Sequence, residues 1–495
     1  MSDLKIREEK IKEKNLNMSR KGYVQTICSR VPLIFYKNTE WLVSRYPDVH
    51  RIAQPVKDLE FMVNIEGNIN KWLDYDFSKN FFENMGLLFN KVQLPALSIF
   101  SSENSNYGDA IGNSKNCYLS YSLFECENIL YSYNAKYSRN VFNSVLVRET
   151  SENIYYSSGI IKSYAVFYSK YIVNSSDIRF SSNLQWCTEC IFCDNLLNQS
   201  YCIKNKKYEK EEYEAMKKDI LQDKENFAKR NEEVNIHGMI LWGKNNTGWF
   251  IIGSENVTDG YFCESVKNVR NAIFAGSGWW YENLRNVFNC GGGESWANIY
   301  WWISNAWWSN DLNNILSMSC SNCYYTYYTM WCSYCIGCIG LKNKSFCILN
   351  KEYNKEERFV LADKIFQQMD KDGILWEFFP WTMNPFYFND TVASLIEDFT
   401  KADVSKTGYL RRDEEIKVDI PPEADIVETK NLSSYQWFEN DTWTINPEIL
   451  KKVIKDEKGN YYRIVKMEYD FLMKYGLPLP ELHRLERIKL WFKFK

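Results

Sequence analysis

The sequence predicts a mainly β chain: two duplicated β-solenoid (β-helix-like) units, each capped by an α-helix, with small α/β elements at the N- and C-terminal ends. Three observations predict it. Trp186-Cys-Thr-Glu-Cys-Ile-Phe-Cys193 recurs as Trp331-Cys-Ser-Tyr-Cys-Ile-Gly-Cys338. Cys187, Cys190, Cys193 and Cys202 map onto Cys332, Cys335, Cys338 and Cys347 at a constant displacement of 145 residues, so one structural unit is written twice. A short phrase, Asn or Asp followed by β-branched and aromatic residues and then Ser, recurs at positions 116, 128, 140, 153 and 177, and again at 256, 268, 286, 298 and 322. A rhythm of roughly 12 residues suits stacked coils better than a sandwich, whose strands pair at long range. Finally, each cysteine phrase runs into a Lys/Glu-rich amphipathic stretch, 206–233 and 353–371, as expected of a helix closing an exposed solenoid end.

In chain order, residues 1–98 read as an α/β lead-in. Asp76-Phe-Ser-Lys-Asn-Phe-Phe-Glu83 places a serine cap before a helix that Pro95 ends. Residues 99–235 form the first solenoid unit with its helix, and 236–373 the second. Each step of about 12 residues reads as one strand with its turn, and two such steps as one coil of about 24. Asn and Ser suit the corners, where Asn tolerates left-handed backbone; Cys, Ile, Val and aromatics would fill the interior. Residues 374–430 comprise an aromatic loop packed on the preceding body, a short helix from Asp390 and a charged connector. Residues 431–495 read as a C-terminal α/β element.

Composition bounds the function. The chain has 495 residues and a net charge of −3, so no global basic field draws it to nucleic acid. The first 25 residues give no secretory signal, and no segment approaches a membrane span. Fifteen cysteines without a signal point to packed or metal-bound thiols rather than disulfides, and three histidines leave little material for a His-based metal site or triad.

The phrase Cys-x-x-Cys-x-x-Cys, eight residues, Cys-Ile-x-Asn-Lys-x-Tyr-x-Lys-Glu-Glu resembles an uncharacterised Cys/Asn-rich repeat family of candidate-phyla-radiation bacteria and some giant viruses, often labelled zinc-ribbon or CaiB/BaiF-like. Asp76 to Glu83, Lys115-Asn-Cys-Tyr-Leu119, Glu377-Phe-Phe-Pro380 and Tyr475-Gly-Leu-Pro-Leu-Pro480 carry the resemblance across about 60–490. It implies a fold but no activity, and a cytoplasmic or virion- or assembly-associated location. Relatives carry zinc-ribbon cysteines near the last motif; this chain has none after Cys347, so its C-terminal element reads as a degenerate ribbon.

Three groups of residues could carry chemistry. Each quartet (Cys187, Cys190, Cys193, Cys202; Cys332, Cys335, Cys338, Cys347) reads either as a four-thiolate zinc site or as a buried stack inside the solenoid. Sulfurs converging on a point would mean metal; sulfurs lined up along the axis would mean core. The doublets Trp279/Trp280, Trp301/Trp302 and Trp307/Trp308 should each point one ring outward, and the 22 residues between the first two are close to the expected coil, giving an aromatic ladder for a protein partner, a second copy or a glycan. Carboxylates on neighbouring coils, Glu103 with Asp109 or Glu125 with Glu127, would suit polysaccharide cleavage. Cys290-Gly-Gly-Gly-Glu-Ser-Trp296 is glycine-dense but lacks the Lys-Ser/Thr of a phosphate loop. The reading is therefore an interaction scaffold without catalysis, with a carbohydrate-active or carbohydrate-binding β-helix and a zinc-structured module as alternatives.

Overall fold

The computed structural model describes residues 66–229, 319–413 and 420–492 without interruption, together with 312–317 and shorter stretches of 20–47 and 240–303. It divides into two compact units, Ile99–Ile236 with Glu414–Lys495, and Met1–Ser98 with His237–Asp413.

In the unit that begins at Ile99, the chain forms a parallel β-solenoid. Four-residue strands start every six residues, as at Glu127–Leu130, Tyr133–Lys136 and Arg139–Phe142. Each pairs in parallel with the next strand but one: Glu127 with Arg139, Tyr133 with Val145. One coil is therefore 12 residues and holds two strands, half the coil length expected from the sequence. The Asn phrase marks one of the two strands in each coil. Where Arg139 pairs with Glu152 and Val145 with Ser158, the extra residue is absorbed at Glu149–Thr150, both left-handed.

So tight a coil must bend every three residues, and from Ser101 to Lys204 nearly every third residue has a positive φ. That conformation costs an L-residue ~1–2 kcal/mol and is least unfavourable for Asn. Asn104, Asn116, Asn128, Asn140 and Asn153 accordingly hold successive corners of one column, each side-chain amide donating to the next carbonyl at 3.1, 3.0, 2.9 and 2.9 Å. Beside them Glu103, Lys115, Glu127 and Arg139 alternate in sign on successive coils, pairing at 3.2 and 3.7 Å.

Every third residue points inward. One set is aliphatic, with Ile129, Val141, Ile154, Val166, Ile172 and Ile178 fully buried. The alternate set is serine: Ser132, Ser144, Ser157, Ser169 and Ser181 are all buried. Serine was expected at the corners, and the hydrogen bonds show why it lies inside instead. Ser144 Oγ donates to Phe142 O at 2.7 Å and accepts from the Ser157 N–H, one coil on, at 3.1 Å; Ser157 repeats the pattern with Tyr155 O and the Ser169 N–H. A hydroxyl satisfied twice by backbone can be buried without desolvation cost. Aromatics, expected inside, lie on the outer flank.

The C-terminal α/β element covers part of that flank. Helix Lys466–Tyr475 lays Phe471 on Phe142 and Tyr155 with ring centroids 4.5 and 5.8 Å apart, and helix Arg484–Phe492 brings Trp491 against Tyr156. A buried ion pair fixes the register: Arg487 Nη1 lies 2.7 Å from Glu468 Oε1, which also accepts from Asn143 Nδ2 at 2.9 Å and Tyr155 OH at 3.3 Å.

The other unit uses the same 12-residue register. Gly248 pairs with Gly260, Cys290 with Trp302, Tyr300 with Leu312, Ser321 with Ser333, and Ser333 with Ser345. Ile273 pairs with Gly291, an added half coil. Helix Phe81–Phe89 packs Phe81 on Tyr325. Its cap is Asn80, in a reciprocal box with Glu83, and not the expected Ser78, whose N–H and hydroxyl turn back to Asp76. The aromatic loop packs as expected: Phe379 meets Phe82 and Tyr325. The short helix expected from Asp390 is a 3-10 turn, Phe388–Asp390, followed by Ala393–Ile396.

After the last coil Ser200–Ile203 pairs antiparallel with Lys206–Lys207, and helix Lys210–Gln222 follows. Displaced by 145 residues, Cys347–Ile348 pairs with Lys351–Glu352, and helix Lys355–Lys371 follows.

Candidate functional site

The 12-residue coil explains the cysteine spacing. Interior positions fall every third residue, so gaps of three, three and nine all land inside. Cys187, Cys190, Cys193 and Cys202 are buried in the core. Cys187 and Cys193 continue the serine columns, their N–H groups donating to Ser175 and Ser181 Oγ at 3.0 Å, and Cys193 Sγ accepts from Asn205 N at 3.4 Å. Cys190 and Cys202 continue the aliphatic column above Ile178. The Cys190 thiol is hydrogen-bonded to those of Cys187 and Cys193, and to Cys202. Its bond from Cys190 pulls the Cys187 thiol down to about 6, while Cys190 is raised by the same contacts.

The later quartet has two further members that sequence reading left out of the motif. Cys320, Cys323, Cys332, Cys335, Cys338 and Cys347 form one buried cluster. Cys335 is its hub, with hydrogen bonds to Cys323 and Cys347 one coil below and above, and to Cys332 and Cys338 within its own coil. Four thiols turned on one sulfur hold Cys335 well below the ordinary thiol range, while Cys323 and Cys338 are pushed up, first by burial. Cys320 and Cys332 touch in the same way. Thr326 and Thr329 take serine-like places, Thr329 Oγ1 donating to Ser317 Oγ at 2.9 Å.

A cation lies beside this second column. Arg358, on helix Lys355–Lys371, is 3% exposed; its Nε donates to Tyr334 O at 2.8 Å, while its Nη2 has no hydrogen-bond partner. Burial lowers the guanidinium, and Tyr324, Cys335, Cys323 and Cys338 act on it in the opposite sense. The matching position in the earlier quartet is Tyr213, whose OH donates to Glu189 at 3.1 Å, with Lys217 2.8 Å from the same carboxylate. The copies differ here, Tyr213 against Arg358, as they do at several other positions of the same stretch.

Among the described residues, no group of three or more Cys, His, Asp or Glu side chains is arranged to hold a metal ion.

Of the tryptophan face, Trp279, Trp280, Trp307 and Trp308 lie outside the described residues. Trp301 and Trp302 belong to strand Tyr300–Ile303, and the coils on either side of Trp302 carry Cys290 and Asn314. With a 12-residue coil, a gap of 22 residues is not one coil. Four tryptophans are exposed among the described residues, Trp72, Trp186, Trp331 and Trp437, and two of them, Trp186 by 47% and Trp331 by 42%, hold equivalent positions in the two copies with left-handed backbone.

Glu103 and Glu127 are engaged by Lys115 and Arg139, and Asp109 is buried. A pair that sequence reading missed is Asp177 and Glu189, at matching corners of consecutive coils. Burial and then Glu189 raise Asp177.

No family model matches the chain, and neither a curated protein nor a solved structure matches it. No helix among the described residues is long and apolar enough to cross a membrane.

Proposed function

We propose that this chain is a structural or interaction protein, a β-solenoid scaffold of two duplicated units, each closed by the helix after its last hairpin, that offers aromatic side chains to a protein partner or a second copy and performs no catalysis. The carrying observation is the matched exposure of Trp186 and Trp331. Leaving a large aromatic in water forgoes about 2–3 kcal/mol of burial, and tryptophan is the residue most enriched at binding hot spots. Trp279, Trp280, Trp301, Trp302, Trp307 and Trp308 would extend such a surface. The resemblance to the Cys/Asn-rich repeat family fits this reading, because a scaffold needs the coil geometry rather than a catalytic constellation.

A photo-crosslinking residue at Trp331 tests it. The expected result is a discrete adduct with one protein, or with a second copy, that is lost when Trp186→Ala and Trp331→Ala are combined with a crosslinker at Lys342. Release of reducing ends from a polysaccharide panel by the wild-type chain would overturn it.

A carbohydrate-active solenoid is the second reading, supported by Asp177 and Glu189 on adjacent coils with one carboxyl raised. It requires cleavage that Asp177→Asn abolishes.

A further inference from the structure

We infer that the thiol column of the second cysteine region is a binding site for a soft monovalent cation, Cu(I), held linearly between Cys323 and Cys335 and neutralised by Arg358. The argument starts from what sits at the centre. A tetrahedral zinc ion needs four sulfurs around an empty point, each about 2.3 Å from it. Here the point among Cys323, Cys332, Cys338 and Cys347 is taken by a fifth sulfur, that of Cys335. What the column offers is edges: pairs of neighbouring sulfurs, where an ion bridging two of them would replace the S–H···S hydrogen bond that joins them. Two-sulfur coordination suits a d¹⁰ monovalent ion, and soft thiolates select Cu(I). The absence of any three-ligand metal group among the described residues is compatible with this arrangement.

The second observation is Arg358. A guanidinium that is 97% buried with an unpartnered Nη2 is costly, and it faces Cys335, Cys323 and Cys338 rather than a carboxylate. With both thiols protonated its charge meets no anion, only the Phe359 and Tyr334 rings at 4.9 and 6.0 Å. On binding, two S–H bonds break, two S–Cu bonds form, two protons leave to solvent and copper stays Cu(I). The resulting S–Cu–S unit carries one negative charge, which Arg358 balances. The earlier region has Tyr213 where this one has Arg358, and a carboxylate, Glu189, beside it. It lacks the compensating charge, which distinguishes the two.

The test is competition for Cu(I) between the reduced full-length chain and bathocuproine disulfonate, under anaerobic conditions, with native mass spectrometry for stoichiometry. One Cu(I) per chain should be withheld from the chelator. Cys335→Val, a residue the equivalent column already uses at Val141 and Val166, should weaken retention at least tenfold, and Arg358→Met should weaken it too, while Cys190→Val leaves it unchanged. Circular dichroism and a thermal transition check that each variant folds; if Cys335→Val does not, Cys323→Val serves in its place. Release of all copper by the wild-type chain would overturn the inference, as would retention in both Cys→Val variants, or retention of Zn(II) in preference to Cu(I).

Discussion

The two cysteine regions share a register, a terminal hairpin and a following helix, yet their interiors differ. From Ser144 to Leu184 the inward positions alternate serine with isoleucine, valine or leucine, a neutral lattice in which each serine accepts a backbone N–H. Around Cys335 six thiols and two threonines replace it, and an arginine stands beside them. The coil itself is therefore indifferent to what its columns contain, provided that alternate positions can accept a backbone N–H. What changes is chemistry. A serine–aliphatic interior can only pack, whereas a thiol interior with a buried cation can exchange protons for a soft metal.

The largest effect should come from exchanging residues at one corner. Gly337 occupies the position that Phe192 holds in the earlier copy, and a Cβ there would lie 3.0 Å from Leu349 and 3.3 Å from the Phe81 ring. Gly337→Phe should destabilise its unit by ~3 kcal/mol or more in denaturant titration, because Phe81 fills the space that Phe192 enjoys in the other copy against Phe180. Tolerance of the phenylalanine would mean that the copies are surrounded alike.

The serine column comes next. Ser157→Ala leaves the buried Ser169 N–H without its acceptor and should cost about 2 kcal/mol. Ser157→Cys should cost less, since Cys193 accepts an N–H at the equivalent place. Equal losses would mean the column is only steric.

Acid should separate the units. His483 is pushed down to about 3, first by burial, then by Arg484 and Arg487, with Asp456 opposing. The folded state keeps it neutral, so its contribution is full above the unfolded value near 6.5 and declines as pH falls from there toward 3. At pH 5 the loss should be about 2 kcal/mol for the unit that carries it, and His483→Asn, which can still accept the Leu485 N–H, should flatten the dependence. The stretch 319–373 contains no histidine and so has no counterpart to this loss. The smallest change in stability should follow Tyr213→Arg, which gives the earlier column its missing cation; Cu(I) retention there should rise with little change in melting.

Much of the fold was legible because its signals are periodic. The 145-residue displacement located both helices, though not the hairpins before them, and Asn116, Asn128 and Asn140 marked one true corner column. The coil length was misread because the second strand of a coil carries asparagine only now and then, at Asn134, Asn183 and Asn195, while Val145–Arg148, Ser158–Ile161 and Lys170–Val173 have none. Ser132 and Ser144 read as surface residues because an isolated hydroxyl prefers water; only the N–H one coil away makes them interior. Arg358 was invisible because a helix rich in Lys and Glu gives no hint that one of its cations is turned inward. Its counterpart in the earlier copy, Tyr213, shows only that the position is not shared.

The most direct measurement is the copper X-ray absorption spectrum of the chain loaded with one Cu(I). A shell of two sulfurs, lost in Cys335→Val, is the expected result. A shell of three or four sulfurs, or the same spectrum in Cys335→Val, would contradict a column built around that hub.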